Sequence, residues 1–89
     1  MKNLIEEFSK YIINEELNLN WKMDWGIDGE CIKELKVIII PYRECIDSLW
    51  SAKEYIIHEI AHALCNDIKH GDSFYNIYLR LLEKYHHKE

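Results

Sequence analysis

The sequence predicts a small α+β domain, because the spacing of apolar residues changes from helical to alternating and back to helical within 89 residues. This length allows one domain, residues 1–89, near the small end of chains that bury a core of their own. Hydrophobic residues make up 48% of the chain, with one Pro and three Gly. That composition favours a folded domain over a disordered segment. We therefore expect the order helix, strands, helix, helix.

The N-terminal segment predicts one amphipathic helix at about residues 3–16. Asn3 is a suitable N-cap residue. Polar residues occupy one side of the segment, and apolar residues recur on the other at helical spacing: Leu4, Ile5, Phe8, Tyr11 and Ile12.

The middle of the chain predicts a small antiparallel sheet. Residues 17–25 alternate between apolar and polar side chains, which is the repeat of a strand with one buried face. Turn-forming residues follow at 26–29. Leu35–Ile40 is a run rich in β-branched residues that stops at Pro41. We expect an antiparallel pair, with room for a third short strand near Glu30–Lys33.

A third segment predicts a helix that begins at Asp47 or Ser48 and ends at about Cys65. Ser51 and Glu54 have the spacing of a capping box. Residues that commonly break helices follow: Asn66, Asp67 and Gly71.

The last segment predicts a helix capped by Asp72 or Ser73. Its apolar residues fall on one face: Phe74, Ile77, Tyr78, Leu81, Leu82 and Tyr85.

Charge and cysteine content exclude several classes of protein. The net charge is -5, whereas neutralising phosphates requires a basic face, so no nucleic-acid partner is expected. The three cysteines are odd in number and nowhere spaced as CxxC, which predicts neither a disulfide framework nor a zinc ribbon but a reducing, cytoplasmic location. The N-terminus lacks the apolar run of a signal peptide, and the longest apolar stretch, residues 37–40, is far shorter than a membrane span. No feature of the sequence indicates the oligomeric state.

The segment HEIAH, residues 58–62, has the spacing of a metal site. At about 100° per residue, His58 and His62 project from the same side of a helix, one turn apart. Glu59 is rotated by about 100° from His58, so it is poorly placed as a third ligand but is able to reach a metal-bound water. In the HExxH motif, two neutral imidazoles bind zinc and the carboxylate takes a proton from water. The opposite side of the helix is apolar: Ile56, Ile57, Ile60, Ala63 and Leu64.

A catalytic zinc ion usually has three protein ligands, and His70 is the candidate for the third. If the helix continued to residue 70, that imidazole would lie about 12 Å along the axis from His62. The chain must therefore turn back after Cys65. Carboxylates also bind zinc, so three substitutes stay open: Asp67, Asp72 and Glu83.

Other residues have weaker functional signals. The Tyr42, Tyr55 and Tyr75 hydroxyls are possible donors to a developing oxyanion, although tyrosines of a small core are common. Cys65 falls on the histidine side, yet a buried cysteine that packs as a small apolar residue is the simpler interpretation. His86 and His87 are most simply solvated tail residues.

The order HEIAHAL, a short spacer and HGDSFYNIYLRLL resembles the SprT-like, WLM and YgjP group of zincin peptidases over residues 53–82. The matching positions are His58, Glu59, His62, His70, Gly71 and Phe74. The resemblance implies a minimal zincin-like domain and a zinc-dependent endopeptidase acting on a protein or peptide. It also implies that His58, His62 and His70 bind Zn²⁺ and that Glu59 is the general base.

The chain also departs from that group. It is shorter than most of these enzymes, and it lacks a Cys-rich zinc ribbon and a basic DNA-binding tail. DNA-linked proteolysis is therefore not expected, and the size fits a stand-alone form such as one from a phage or mobile element. With Glu83 as third ligand, the site would instead resemble a gluzincin-like or ImmA-like arrangement. The alternative class is a non-catalytic module that binds peptide or holds a structural zinc, which would have a fourth protein ligand.

Overall fold

The computed structural model describes residues 1–65 and 71–86, and within these residues the chain is a small α+β domain. The predicted order of elements is confirmed, with one short additional helix after the last strand. In chain order the elements are α1 (Lys2–Glu16), β1 (Lys22–Gly26), β2 (Glu30–Ile32), β3 (Val37–Pro41), α2 (Tyr42–Cys45), α3 (Leu49–Leu64) and α4 (Asp72–Tyr85).

The three described strands form a mixed sheet in the order β1-β3-β2. β1 pairs with β3 in parallel, with Trp25 opposite Ile40, so the prediction of an antiparallel pair is wrong for these two strands. β2 pairs with β3 in antiparallel fashion, with Cys31 opposite Ile38, and it confirms the third short strand. Because β2 and β3 form a hairpin, β3 runs in the same direction as β1. Alternation of side chains does not reveal that direction.

The alternating pattern before Trp21 does not form a strand. The Oδ1 atom of Asn18 accepts a hydrogen bond from the backbone N–H of Asn20 at 2.8 Å, which makes a turn after α1. Leu19 is 83% exposed as a result. Leu35 lies in the β2–β3 turn and is also exposed, so the predicted strand at Leu35–Ile40 begins two residues later.

The observed helix caps differ in part from the predicted ones. Ser48 caps α3, since its Oγ accepts a hydrogen bond from the backbone N–H of Ser51 at 3.1 Å. The capping box predicted at Ser51 is therefore wrong, because Ser51 already lies in the first turn. α1 begins after Met1 and α4 after Gly71, and neither N-cap makes a side-chain hydrogen bond. Asn3, Asp72 and Ser73 are thus not N-caps.

α3 is the central element of the fold, because it contacts α1, α2, α4, β2 and β3. Its buried residues are Ala52, Ile56, Ile57, Glu59, Ile60 and Ala61. The fully buried large apolar residues of the domain come from α1, β3, α3 and α4: Ile5, Ile12, Ile38, Ile40, Ile56, Ile57, Ile60 and Leu81. This packing fixes how α3 is rotated, and therefore which of its side chains face outward.

The structure records Cys31, Cys45 and Cys65 as free thiols. In the described part of the chain, no helix combines the length and apolar character needed to cross a membrane.

Candidate functional site

The two histidines of α3 lie side by side on the same face of the helix. The Nε2 atoms of His58 and His62 are 3.2 Å apart, and their ring centroids are 4.8 Å apart. Both residues are half-buried. The predicted helical spacing is therefore confirmed, and the two Nε2 atoms point toward one place.

This separation fits a shared zinc ion. With zinc–nitrogen distances of about 2.0–2.1 Å, two nitrogens 3.2 Å apart subtend an angle of about 100–106° at the ion, close to tetrahedral. The distance is also that of a hydrogen bond between a neutral donor ring and a neutral acceptor ring. Two protonated rings would repel each other at this distance, and metal binding requires neutral imidazoles.

Two aromatic residues of α4, Phe74 and Tyr78, pack beside the histidines. The ring centroid of Phe74 lies 4.5 Å from that of His62 and 5.1 Å from that of His58, and Phe74 is buried. The Tyr78 ring lies 5.6 Å from the His58 ring and stacks on Phe74. The predicted apolar face of α4 thus supplies one wall beside the histidines.

Glu59 is one of two buried polar or charged residues in the described part of the chain, and it is 5% exposed. Burial raises the pKa of its carboxyl group to about 7, with a further contribution from the negative charge of Glu30. A carboxyl group that titrates near neutral pH is suited both to accept and to donate a proton.

An open cavity of about 450 Å³ lies over this part of α3. It brings together residues of α3, of the loop before β2 and of α4: Gly29, Ser51, Glu54, Tyr55, His58, Glu59 and Tyr78. The proposed base and one proposed metal ligand therefore share a space large enough for part of a peptide.

The third metal ligand is not placed by the described residues. Among them, no three His, Cys, Asp or Glu side chains are grouped to hold one ion. His70 and Asp67 lie outside the described residues. Asp72 and Glu83 are exposed on α4, and neither lines the cavity. His70 as a ligand stays a prediction.

The three tyrosines predicted as oxyanion donors are separated by the fold. Tyr55 lines the cavity. Tyr42 packs edge-on against Trp25, with ring centroids 5.4 Å apart, and Tyr75 is 54% exposed on α4. Neither of these two lines the cavity.

The structure agrees with the sequence interpretation of Cys65 and contradicts that of His86. Cys65 is buried, as its interpretation as a small apolar residue requires. His86 is wrong as a solvated tail residue, because its ring centroid lies 4.0 Å from that of Trp50 and its Nε2 atom is buried. His87 lies outside the described residues.

Sequence reasoning missed four residues of the cavity: Gly29, Ser51, Glu54 and Tyr78. Glu54 had a usable signal, since it precedes His58 by the same four residues that separate His58 from His62. The sequence pattern predicts only that Tyr78 lies on the apolar face of α4. Gly29 had no signal beyond its turn chemistry, because its approach to Glu59 depends on how the sheet packs.

The chain matches no family model, no curated protein and no solved structure. The resemblance to SprT-like, WLM and YgjP peptidases is therefore one of motif, at the residues quoted above.

Proposed function

We propose that the protein is a zinc-dependent endopeptidase with Glu59 as its general base, on a minimal zincin-like domain. One observation carries the proposal: the His58 and His62 Nε2 atoms lie 3.2 Å apart, and His58 lines the same cavity as the buried carboxylate of Glu59. The HExxH spacing in the sequence supports the same chemistry.

His58 and His62 would hold the zinc ion, and His70 would be the third ligand. A bound zinc ion supplies Lewis acidity, which lowers the pKa of a coordinated water and polarises the substrate carbonyl. The aromatic rings of Phe74 and Tyr78 restrict the movement of the imidazoles, so less ordering is needed when the ion binds.

Glu59 would move the proton. As the water oxygen bonds to the carbonyl carbon, the Glu59 carboxylate accepts a proton from that water. When the carbon–nitrogen bond breaks, Glu59 returns the proton to the departing amine. Glu59 is buried, and burial raises the pKa of its carboxyl group to about 7, which suits both steps. The hydroxyl groups of Tyr55 and Tyr78, which line the same cavity, are the candidates to donate a hydrogen bond to the oxyanion.

The expected substrate is a protein or peptide, and we place the enzyme in the cytoplasm because its three cysteines are free. The net charge of -5 supports the exclusion of a nucleic-acid partner.

The experiment that tests this function is the Glu59→Gln variant, which keeps side-chain size and all three proposed ligands. Zinc content by elemental analysis should stay at about one ion per chain, as in the wild type. Hydrolysis of a peptide library and of unfolded protein should fall by about 10²–10⁴-fold, the usual effect of removing a general base. Glu7→Gln, at an exposed position of α1, is the control for the charge change and should keep full activity.

Three other results would change the proposed function in different ways. Wild-type activity in a zinc-loaded Glu59→Gln variant would exclude Glu59 as the base. Loss of zinc would make Glu59 a ligand. A wild-type protein that binds zinc and peptide but cleaves no substrate would be the non-catalytic module instead.

A further inference from the structure

The cavity beside His58 extends toward the N-terminal half of α3, where its walls differ from those around the histidines. Glu54 lies one helical turn before His58, and Ser51 lies one turn before Glu54. Tyr55 and Tyr78 contribute aromatic walls from two different helices. This end of the cavity therefore combines a carboxylate, a hydroxyl group and two aromatic rings.

We infer that this end of the cavity binds the basic side chain of a peptide substrate, an arginine or a lysine, and that Glu54 is the specificity-determining residue. The inference rests on the proposed endopeptidase function and names its substrate class: peptides with a basic residue close to the cleaved bond.

The charge of the lining supports a cationic ligand. Glu54 and Glu59 are its charged residues, and no lysine or arginine lines it among the described residues. In the described part of the chain, the ion pairs join Arg80 and Lys84 to Glu16, so Glu54 has no ion-pair partner there. Its negative charge is available to a ligand.

The buried carboxylate of Glu59 is an independent observation at the same cavity. Glu59 is only 5% exposed, yet it lines the cavity and accepts no hydrogen bond from another described residue. A carboxylate that lines a cavity and accepts no hydrogen bond from the protein is stabilised by a ligand that brings positive charge or hydrogen-bond donors. Both carboxylates thus favour a cation in the same space.

The aromatic walls match the shape of a basic side chain. A guanidinium or ammonium group is attracted to the face of a tyrosine ring, and its methylene stem packs on the apolar ring surface. A guanidinium group also pairs with a carboxylate through two parallel hydrogen bonds. The cavity of about 450 Å³ is larger than either side chain, so it has room for one beside His58.

The first test measures binding alone. Two probes, N-acetyl-arginine amide and its neutral isostere N-acetyl-citrulline amide, are titrated into the zinc-loaded protein and followed by NMR shifts of the Tyr55 and Tyr78 rings. We expect the arginine probe to bind at least about fivefold more tightly, and Glu54→Gln to remove that preference. Glu7→Gln, which makes the same charge change on the exposed surface of α1, should keep it. Equal binding of both probes to the wild type would overturn the inference.

The second test separates this inference from the proposed function. Paired peptides with arginine or citrulline near the cleaved bond should differ by at least about fivefold in kcat/KM, and Glu54→Gln should bring the ratio close to one. Cleavage without that preference would overturn the inferred basic pocket but not the proposed endopeptidase function. Preferential binding of the arginine probe without any cleavage would support the basic pocket and overturn the endopeptidase function. Loss of zinc from Glu54→Gln would make Glu54 a metal ligand and would also overturn the inference.

Discussion

The backbone of Gly29 lies against the carboxylate of Glu59, so that a Cβ atom added at Gly29 would be 2.9 Å from Oε2 of Glu59. The same Cβ atom would be 3.2 Å from the ring of Tyr55. No glycine of the described residues has a positive φ, so an alanine at position 29 meets no backbone strain. The site therefore requires glycine here because of space, and the atom that must move belongs to the proposed base.

Gly29→Ala should reduce activity without unfolding the protein. The flexible end of the Glu59 side chain is able to shift, so the melting temperature should change little. The displaced carboxylate should lower kcat by roughly tenfold or more, since an error of about 1 Å in position costs up to about 10² in rate. Thermal unfolding and peptide hydrolysis measure the two effects.

Gly71→Ala is the matched control for stability, because a Cβ atom there meets no atom of the described residues within 4 Å. It should leave the melting temperature unchanged. A Gly29→Ala variant with wild-type kcat would show that the observed position of the Glu59 carboxylate is not required for catalysis.

The parts of the site that could be predicted from sequence are local. His58, Glu59 and His62 lie within one helical turn, so the period of 3.6 residues fixes their relative directions once the helix is assigned. The contact of Glu59 with Gly29 could not be predicted, because it joins α3 to the loop before β2. Tyr78 reaches the cavity from α4, across a connection outside the described residues.

The same distinction explains the errors in the predicted fold. The helices α1, α3 and α4 and the short β2 strand follow from local patterns, and their positions are confirmed within a few residues. The pairing of β1 with β3 is not local, since ten residues separate Gly26 from Val37, and alternation looks the same in parallel and antiparallel strands. Near Leu19, a turn made by Asn18 replaced the predicted strand.

The proposed metal site predicts that removing any one ligand lowers zinc occupancy. His58→Ala, His62→Ala and His70→Ala should each lower zinc occupancy below one ion per chain, because every ligand contributes to a three-residue site. His87→Ala, which removes a histidine outside the motif, is the control and should keep full occupancy. Elemental analysis after dialysis measures the result. Full zinc in His70→Ala would exclude His70 and leave Asp67 as the next candidate, because Asp72 and Glu83 are exposed and do not line the cavity.

The sheet predicts how a peptide would lie. β3 lies between β1 and β2 in the described sheet, so it has no free edge that could accept a peptide. Of the two edge strands, β2 packs more extensively against α3, and it follows Gly29 at the cavity. We expect an extended peptide to add to the free edge of β2 by backbone hydrogen bonds.

N-methylation of single backbone amides in a good substrate tests this arrangement. The methyl group removes one hydrogen-bond donor and leaves the side chain in place. Alternate positions should show a raised KM, because successive amides of a strand point to opposite sides. The unmethylated peptide is the reference. A uniform response at every position, or none, would contradict addition to β2.

A cluster around Glu16 holds α4 to the end of α1, and it predicts acid sensitivity. The Glu16 carboxylate accepts hydrogen bonds from Tyr85 at 2.6 Å, Lys84 at 3.0 Å and Arg80 at 3.2 Å, and its side chain is 8% exposed. Burial alone would raise the pKa of Glu16, but these bonds outweigh it and lower the pKa. A carboxyl group with a lowered pKa stabilises the fold above its unfolded pKa, and this contribution is lost as pH falls through the folded value.

Glu16→Gln should therefore lower the free energy of unfolding by about 1–3 kcal/mol at pH 7, and the difference from wild type should shrink toward pH 3. Urea unfolding at both pH values measures this. Glu15→Gln, at the exposed neighbouring position, should show little effect at either pH. A difference that persists unchanged at pH 3 would mean that packing, and not the charge of Glu16, holds the two helices together.

The raised pKa of Glu59 predicts the opposite pH dependence for protein stripped of metal by a chelator. Burial lifts the pKa from 4.5 to about 7, so the folded state binds the proton more tightly than the unfolded chain. Stability from this group is full below pH 4.5 and is lost as pH rises through about 7. The Glu59→Gln variant has no ionisable group at this position. Relative to wild type, it should therefore gain stability between pH 5 and pH 8, by at most about 3 kcal/mol. Urea unfolding of both metal-free proteins measures the difference, and the histidines cancel because both proteins contain them. A difference that is the same at pH 5 and pH 8 would show that Glu59 ionises as freely in the folded protein as in the unfolded chain.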